Sequence, residues 1–133
     1  MFRTLIIEDS SFFRQVLKEA LKSNFQTMEI MESLDGQGSL QKINIFPPDL
    51  VLVDIKLPGE SGLELTRKIK TSHPDIQVLI LTSYDIPEYR EAASRYGANY
   101  FLAKGSTTKE GILTLVRSIL SEKKAPPPSN LSP

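Results

Sequence analysis

Four short apolar runs punctuate the chain: Leu5-Ile6-Ile7, Leu50-Val51-Leu52-Val53, Val78-Leu79-Ile80-Leu81 and Tyr100-Phe101-Leu102. A strand with one wet face alternates apolar and polar residues. These runs are continuous, so they read as parallel strands covered on both faces. A weaker fifth run, Met28 to Ser33, alternates partly and reads as an edge strand. Between the runs the period changes. Phe13, Val16, Leu17, Ala20 and Leu21, then Leu63, Leu65 and Ile69, and finally Ile112, Leu115, Val116, Ile119 and Leu120 fall at helical spacing and form apolar stripes. Three helix starts carry an S/T/D-x-x-E pattern, Ser61 with Glu64, Asp85 with Glu88 and Thr107 with Glu110, in which side chains satisfy orphan amides of the first turn.

Five strand-then-helix units call for right-handed crossovers and a doubly wound parallel α/β sheet, a flavodoxin-like (βα)5 architecture with strand order 2-1-3-4-5. Residues 1–122 carry this pattern. Beyond Glu122 the run Lys-Lys-Ala-Pro-Pro-Pro-Ser-Asn-Leu-Ser-Pro offers almost nothing to bury, so 123–133 reads as a proline-rich tail or linker. A chain of 133 residues, 40% hydrophobic, supports one core and therefore one principal site.

Sixteen basic and sixteen acidic residues cancel, which leaves no global positive field to draw the domain onto nucleic acid or an anionic membrane. The absence of cysteine excludes disulfides and thiol chemistry and agrees with a reducing, cytoplasmic setting. No run approaches the roughly 20 apolar residues of a membrane span, so a soluble protein is expected.

In a doubly wound sheet the functional crevice lies beyond the carboxyl ends of the strands, where the strand order reverses. Glu8 and Asp9 follow the first strand, Asp54 the third, Thr82 and Ser83 the fourth, and Lys104 the fifth. Singly, each has an ordinary structural reading as a cap, a turn residue or a solvated charge. Together they do not, because two like charges about 4 Å apart repel by about 4 kcal/mol at an effective dielectric of about 20. A hard divalent cation resolves the conflict: Mg²⁺ takes one or two carboxylates together with waters and phosphate oxygens. An Asp carboxylate beside such a metal is a competent nucleophile on phosphorus, with metal and ammonium neutralising the transferring group.

The pair Glu8-Asp9, the run Val-Asp54-Ile-Lys-Leu-Pro58-Gly59-Glu-Ser-Gly62, the Leu-Thr82-Ser turn and the segment Gly97-Ala98-Asn-Tyr-Phe101-Leu-Ala-Lys104 resemble, in order and spacing, the motifs of response-regulator receiver domains, of which the stand-alone chemotaxis regulator is the simplest. The resemblance covers about residues 3 to 122. It implies a two-component phosphorelay in which a sensor histidine kinase or phosphotransfer protein donates a phosphoryl group to Asp54. Asp9 would then be a direct Mg²⁺ ligand, with Mn²⁺ a possible substitute, Glu8 a ligand through water, and the Lys56 backbone carbonyl a further ligand. Thr82, Ser83 and Lys104 would bind the phosphoryl oxygens, and Thr82 with Phe101 would form the switch. Lys56 and Tyr84 would tune dephosphorylation. Such a domain is a signalling phosphoacceptor rather than an enzyme acting on external substrates, and it can form a homodimer on activation.

Two positions depart from the family pattern. Gly105 follows Lys104 where many members carry proline, and Phe101 lacks a hydroxyl to satisfy when it turns inward, while Tyr100 should face the other side of its strand. His73, the one histidine, sits before Pro74 in a polar turn and reads as surface. A flavodoxin-like cofactor binder is disfavoured because Glu8-Asp9 would repel its phosphate, and an Asp-nucleophile phosphohydrolase because Asp54-Ile-Lys56 lacks a second acid. The competing reading is a degenerate receiver that binds proteins without being phosphorylated.

Overall fold

The structure is a computed structural model that describes residues 1–124. Ten elements alternate: β1 (Arg3–Ile7), α1 (Ser11–Asn24), β2 (Glu29–Ser33), α2 (Gly36–Ile45), β3 (Leu50–Val53), α3 (Gly62–Ser72), β4 (Gln77–Thr82), α4 (Pro87–Arg95), β5 (Tyr100–Ala103) and α5 (Lys109–Lys124). The five strands form one parallel sheet in the order β2-β1-β3-β4-β5, as the continuous apolar runs require. β2 is an edge strand, in agreement with its partial alternation. α5 runs to Lys124, two residues past the boundary expected at 122, and the rest of the proline-rich segment lies outside the described residues.

Successive residues of a strand point to opposite faces, and this divides the core in two. Ile6, Leu50, Leu52, Leu79 and Leu81 pack toward α1 and α5 with Leu17, Leu21, Leu113 and Val116. Leu5, Ile7, Val51, Val53, Val78 and Ile80 pack on the other side with Ile43, Leu65, Ile69 and Ala93. Each such fully buried aliphatic side chain contributes about 1.5–3 kcal/mol, so the register is held strongly; a one-residue slip would exchange the two faces. Tyr100 joins the α1–α5 side and Phe101 the other, as the strand period implies.

The helix starts both confirm and correct the sequence pattern. Ser61 caps α3, its hydroxyl accepting from the Leu63 amide at 3.1 Å. Asp85 does not cap α4. Pro87 is the first helical residue and forces Ile86 before it into extended backbone (φ −120°, ψ 148°), so Ile86 holds the cap position without a side-chain hydrogen bond, as expected of a residue preceding proline. The Asp85 carboxylate pairs instead with Arg90 at 2.5 Å. At α5 the cap moves by one residue, from Thr107 to Thr108, whose hydroxyl accepts from the Gly111 amide at 3.0 Å and whose carbonyl accepts from Ile112. α2, which no motif announced, is capped by Asp35 through the Gly38 amide at 2.8 Å. No helix among the described residues is long and apolar enough to cross a membrane.

Candidate functional site

β1 and β3 are neighbours, yet the chain leaves β1 toward β2 on one side and β3 toward β4 on the other. The crossovers diverge there and leave a crevice at the strand ends. Register places Ile7 beside Val53, so Glu8 and Asp54, the next residues, emerge together. Both are buried, at 3% and 8% exposure, and Asp9 is exposed at the rim. Their backbones are tied down: the Glu8 amide donates to the Ser33 carbonyl at 3.1 Å and the Asp54 amide to the Ile7 carbonyl at 3.1 Å.

Lys104 arrives from the far edge of the sheet. Its ammonium donates to Glu8 Oε1 at 2.7 Å and to Asp54 Oδ2 at 3.2 Å. It also lies 4.1 Å from the centroid of the Phe13 ring, so the aromatic face steadies the same cation. The second oxygens are held as well, Glu8 Oε2 accepting from the Ser10 amide at 3.0 Å and Asp54 Oδ1 from the Ile55 amide at 2.7 Å. Burial pushes the Glu8 carboxyl above the usual carboxylate range, opposed by its hydrogen bonds from Lys104 and Ser10.

Carboxylate oxygens of Glu8, Asp9 and Asp54 lie within 4.8 Å of one another. Three carboxylates against one ammonium leave a formal charge of −2 in a largely buried site. The donor set is all oxygen, which suits a hard divalent cation of the Mg²⁺ or Mn²⁺ type.

Of the remaining residues singled out in the sequence, Thr82, Ser83, Tyr84 and Lys56 lie on the strand ends and loops at this end of the sheet, whereas Phe101 lies within β5 and His73 ends α3 at the opposite end. Thr82 is fully buried at the end of β4, its hydroxyl accepting from the Tyr84 amide at 3.2 Å. Its carbonyl accepts from the Lys104 amide at 2.7 Å, which joins the two loops. Ser83 and Lys56 are exposed, and Tyr84 is 46% exposed. Phe101 is half-buried, with the Arg90 guanidinium 4.6 Å from its ring centroid. His73 is half-buried rather than freely exposed, its Nε2 lying 3.0 Å from Asn44 Oδ1.

A model of the response regulator receiver domain matches residues 4–117. The chain belongs to this family. The receiver is 32% identical over 120 residues to the response regulator GacA of Pseudomonas viridiflava, covering 90% of this chain and 54% of that protein. It spans about half the length of the curated relatives it matches. Among solved structures it is similar to a CheY-like receiver domain protein from Methanospirillum hungatei, with a TM-score of 0.85 at 26% identity, covering 93% and 97% of the two chains. It is also similar to a LuxR-family DNA-binding response regulator from Staphylococcus aureus, with a TM-score of 0.82 at 26% identity, covering 90% and 98%.

Four contributions to the receiver site were not read from the sequence. Phe13 under Lys104, Arg90 over Phe101, and Tyr89 beside Tyr84 carried no signal beyond helical periodicity or surface charge. The fourth is the close approach of Gly62, whose amide donates to the Ile55 carbonyl at 2.8 Å; here the Ser-Gly pair at a helix start was the available cue.

Millimolar Mg²⁺ is expected to raise the melting temperature by mass action on the folded state, by about 1.4 kcal/mol at ten times its dissociation constant, or about 3–5 °C for a domain of this size. Asp9→Ala should abolish most of that response. A differential-scanning melt indifferent to Mg²⁺ in the parent would rule out a cation site among the three carboxylates.

Proposed function

We propose that this receiver domain accepts a phosphoryl group on Asp54 and works as the switchable input of a two-component response regulator. The observation that carries this reading is the Lys104 ammonium bridging buried Glu8 and Asp54 with the Asp9 carboxylate alongside. A fold gains nothing from gathering three carboxylates at a strand-end crevice, and each group has a use in phosphoryl transfer. In the transfer step an Asp54 carboxylate oxygen forms a bond to phosphorus as the bond to the donor breaks. The leaving group keeps the electron pair of the broken bond, the imidazole nitrogen when the donor is a phosphohistidine and the acetate oxygen when it is acetyl phosphate. Asp9, Asp54 and the Lys56 carbonyl, with Glu8 through water, would hold a Mg²⁺ ion, which would supply neutralisation of the charge on the transferring group. Lys104 contributes a second positive charge to the same oxygens, and Thr82 and Ser83 contribute hydroxyl donors.

The domain consumes no external substrate beyond its donor and turns over nothing but its own acyl phosphate. Downstream, the phosphoryl oxygens draw the Thr82 hydroxyl from its bond with the Tyr84 amide, and Phe101 on the neighbouring strand responds. The partners of this reading are a sensor kinase or phosphotransfer protein upstream and a second copy or effector downstream, in the cytoplasm. Half the length of the curated relatives lies outside the matched region, which is where a DNA-binding output would reside.

Incubating the chain with Mg²⁺ and acetyl phosphate and weighing it intact tests the proposal. One added phosphoryl group, lost in alkali and absent from Asp54→Asn, is expected. No mass gain, or an equal gain in Asp54→Asn, would favour the degenerate receiver.

A further inference from the structure

Lys56 leaves the β3–α3 loop as an exposed side chain, and its ammonium meets two aromatic rings. The Nζ atom stands 5.1 Å from the Tyr84 ring centroid and 5.7 Å from that of Tyr89. The two rings meet edge to face, 6.5 Å apart at 71°. Three separate segments supply this cluster: the loop carrying the acceptor, the loop after β4, and the first turn of α4.

The three members are not equally anchored. Tyr84 is 46% exposed and Lys56 is exposed, whereas Tyr89 is half-buried and packs against the core beneath α4. Tyr89 is therefore the fixed member, and the other two lean on it. An ammonium is attracted to the negative face of an aromatic ring, and the edge-to-face contact orients Tyr84 against Tyr89. A free lysine would sample many rotamers; here two ring faces define where the charge sits.

We propose that Tyr89 is a positioning residue that holds the Lys56 ammonium beside Tyr84 and so sets the lifetime of the phosphoryl group on Asp54. The inference rests on the phosphoacceptor reading above and extends it to a residue outside the site. Loss of the group is hydrolysis: water oxygen bonds to phosphorus, the bond from phosphorus to the Asp54 oxygen breaks, and the carboxylate leaves with the electron pair. The water proton passes to solvent, and inorganic phosphate departs. No member of the clamp is consumed; it governs how water reaches the phosphorus. Because Tyr89 belongs to α4, whatever displaces the first turn of that helix also alters the clamp, which couples lifetime to the state of the α4 face.

A packing role alone predicts a different outcome, and decay of the phosphorylated protein separates the two. After removal of acetyl phosphate, the remaining phosphorylated fraction is followed by intact mass in the parent, Tyr89→Leu, Tyr89→Phe, Lys56→Met and the Tyr89→Leu/Lys56→Met pair. Tyr89→Leu is expected to change the decay rate by about two- to fivefold, the range of an exposed cation–π contact, in the same sense as Lys56→Met. The pair should add nothing further, and Tyr89→Phe, which keeps the ring, should decay like the parent. Parental decay in Tyr89→Leu, or full additivity with Lys56→Met, overturns the proposal. A parent that acquires no phosphoryl group overturns the lifetime role together with the reading beneath it. Failure of the clamp itself is distinguished by the Lys56 ε-methylene proton shifts, which the rings displace upfield in the parent and in Tyr89→Phe, but not in Tyr89→Leu.

Discussion

Gly62→Ala is expected to lower the melting temperature by about 10 °C or more, with a loss of about 3 kcal/mol or more. A methyl group built on Gly62 would stand 1.9 Å from the Asp54 carbonyl oxygen, 2.8 Å from its carbon and 3.0 Å from the Ile55 Cα. These are backbone atoms, so no rotamer change relieves the overlap. The two segments cannot simply part, because the Gly62 amide donates to the Ile55 carbonyl and the Gly62 carbonyl accepts from the Thr66 hydroxyl at 2.8 Å. Relief requires α3 to withdraw from the acceptor loop, which moves Asp54 and separates it from Lys104. Gly59 is the contrasting case. Its φ of +82° strains any other residue, but nothing lies within 4 Å of a Cβ there, so Gly59→Ala should cost only about 1–2 kcal/mol of torsional strain. Thermal melts of both variants check the pair; a Gly62→Ala melt within about 2 °C of the parent would mean that the loop yields where its hydrogen bonds say it is held.

Lys104→Met should be the most damaging exchange within the charge cluster, costing about 3–5 kcal/mol at neutral pH in metal-free buffer, the range for removing one partner of a buried ion pair. It leaves Glu8 and Asp54, with side chains 4% and 9% exposed, without the cation that faces both. The pH dependence has a definite sign. Glu8 is already raised above its ordinary carboxylate value by burial, and the Lys104 hydrogen bond and charge are among the effects holding it down. Removing Lys104 raises it further. A carboxyl raised in the folded state binds its proton more tightly there than in the unfolded chain. Its stabilising protonation is therefore complete below the unfolded value and is lost as pH rises through the folded one. The deficit of Lys104→Met relative to the parent should accordingly shrink as pH falls below neutrality toward the ordinary carboxylate range, and added Mg²⁺ should restore part of it at neutral pH. Urea midpoints across pH provide the measurement. A deficit independent of pH would show that the loss is one of packing against Phe13 rather than of charge.

Much of this molecule was legible in the sequence because backbone geometry makes it so. Continuous apolar runs can be buried only by cover on both faces, and four of them, with a partly alternating fifth, separated by amphipathic helices leave a parallel doubly wound sheet as the economical arrangement. In that sheet the residue after each strand must emerge at one edge, so Glu8, Asp9, Asp54, Thr82 and Lys104 were identifiable as neighbours from their places alone. Local rules failed where two competed: Asp85 had the capping pattern, but the ring of Pro87 fixed the helix start and freed the carboxylate for Arg90. What only the tertiary structure decided are contacts between residues far apart in the chain. Lys104 reaches Glu8 across 96 positions and Asp54 across 50, Phe13 meets the same ammonium, and Tyr89 meets Lys56. Gly62 likewise has no room for a side chain only because α3 begins against the Asp54 carbonyl. Strand period determines which face a residue occupies, but helix docking sets the distance between side chains on different elements, and attraction and overlap depend steeply on that distance.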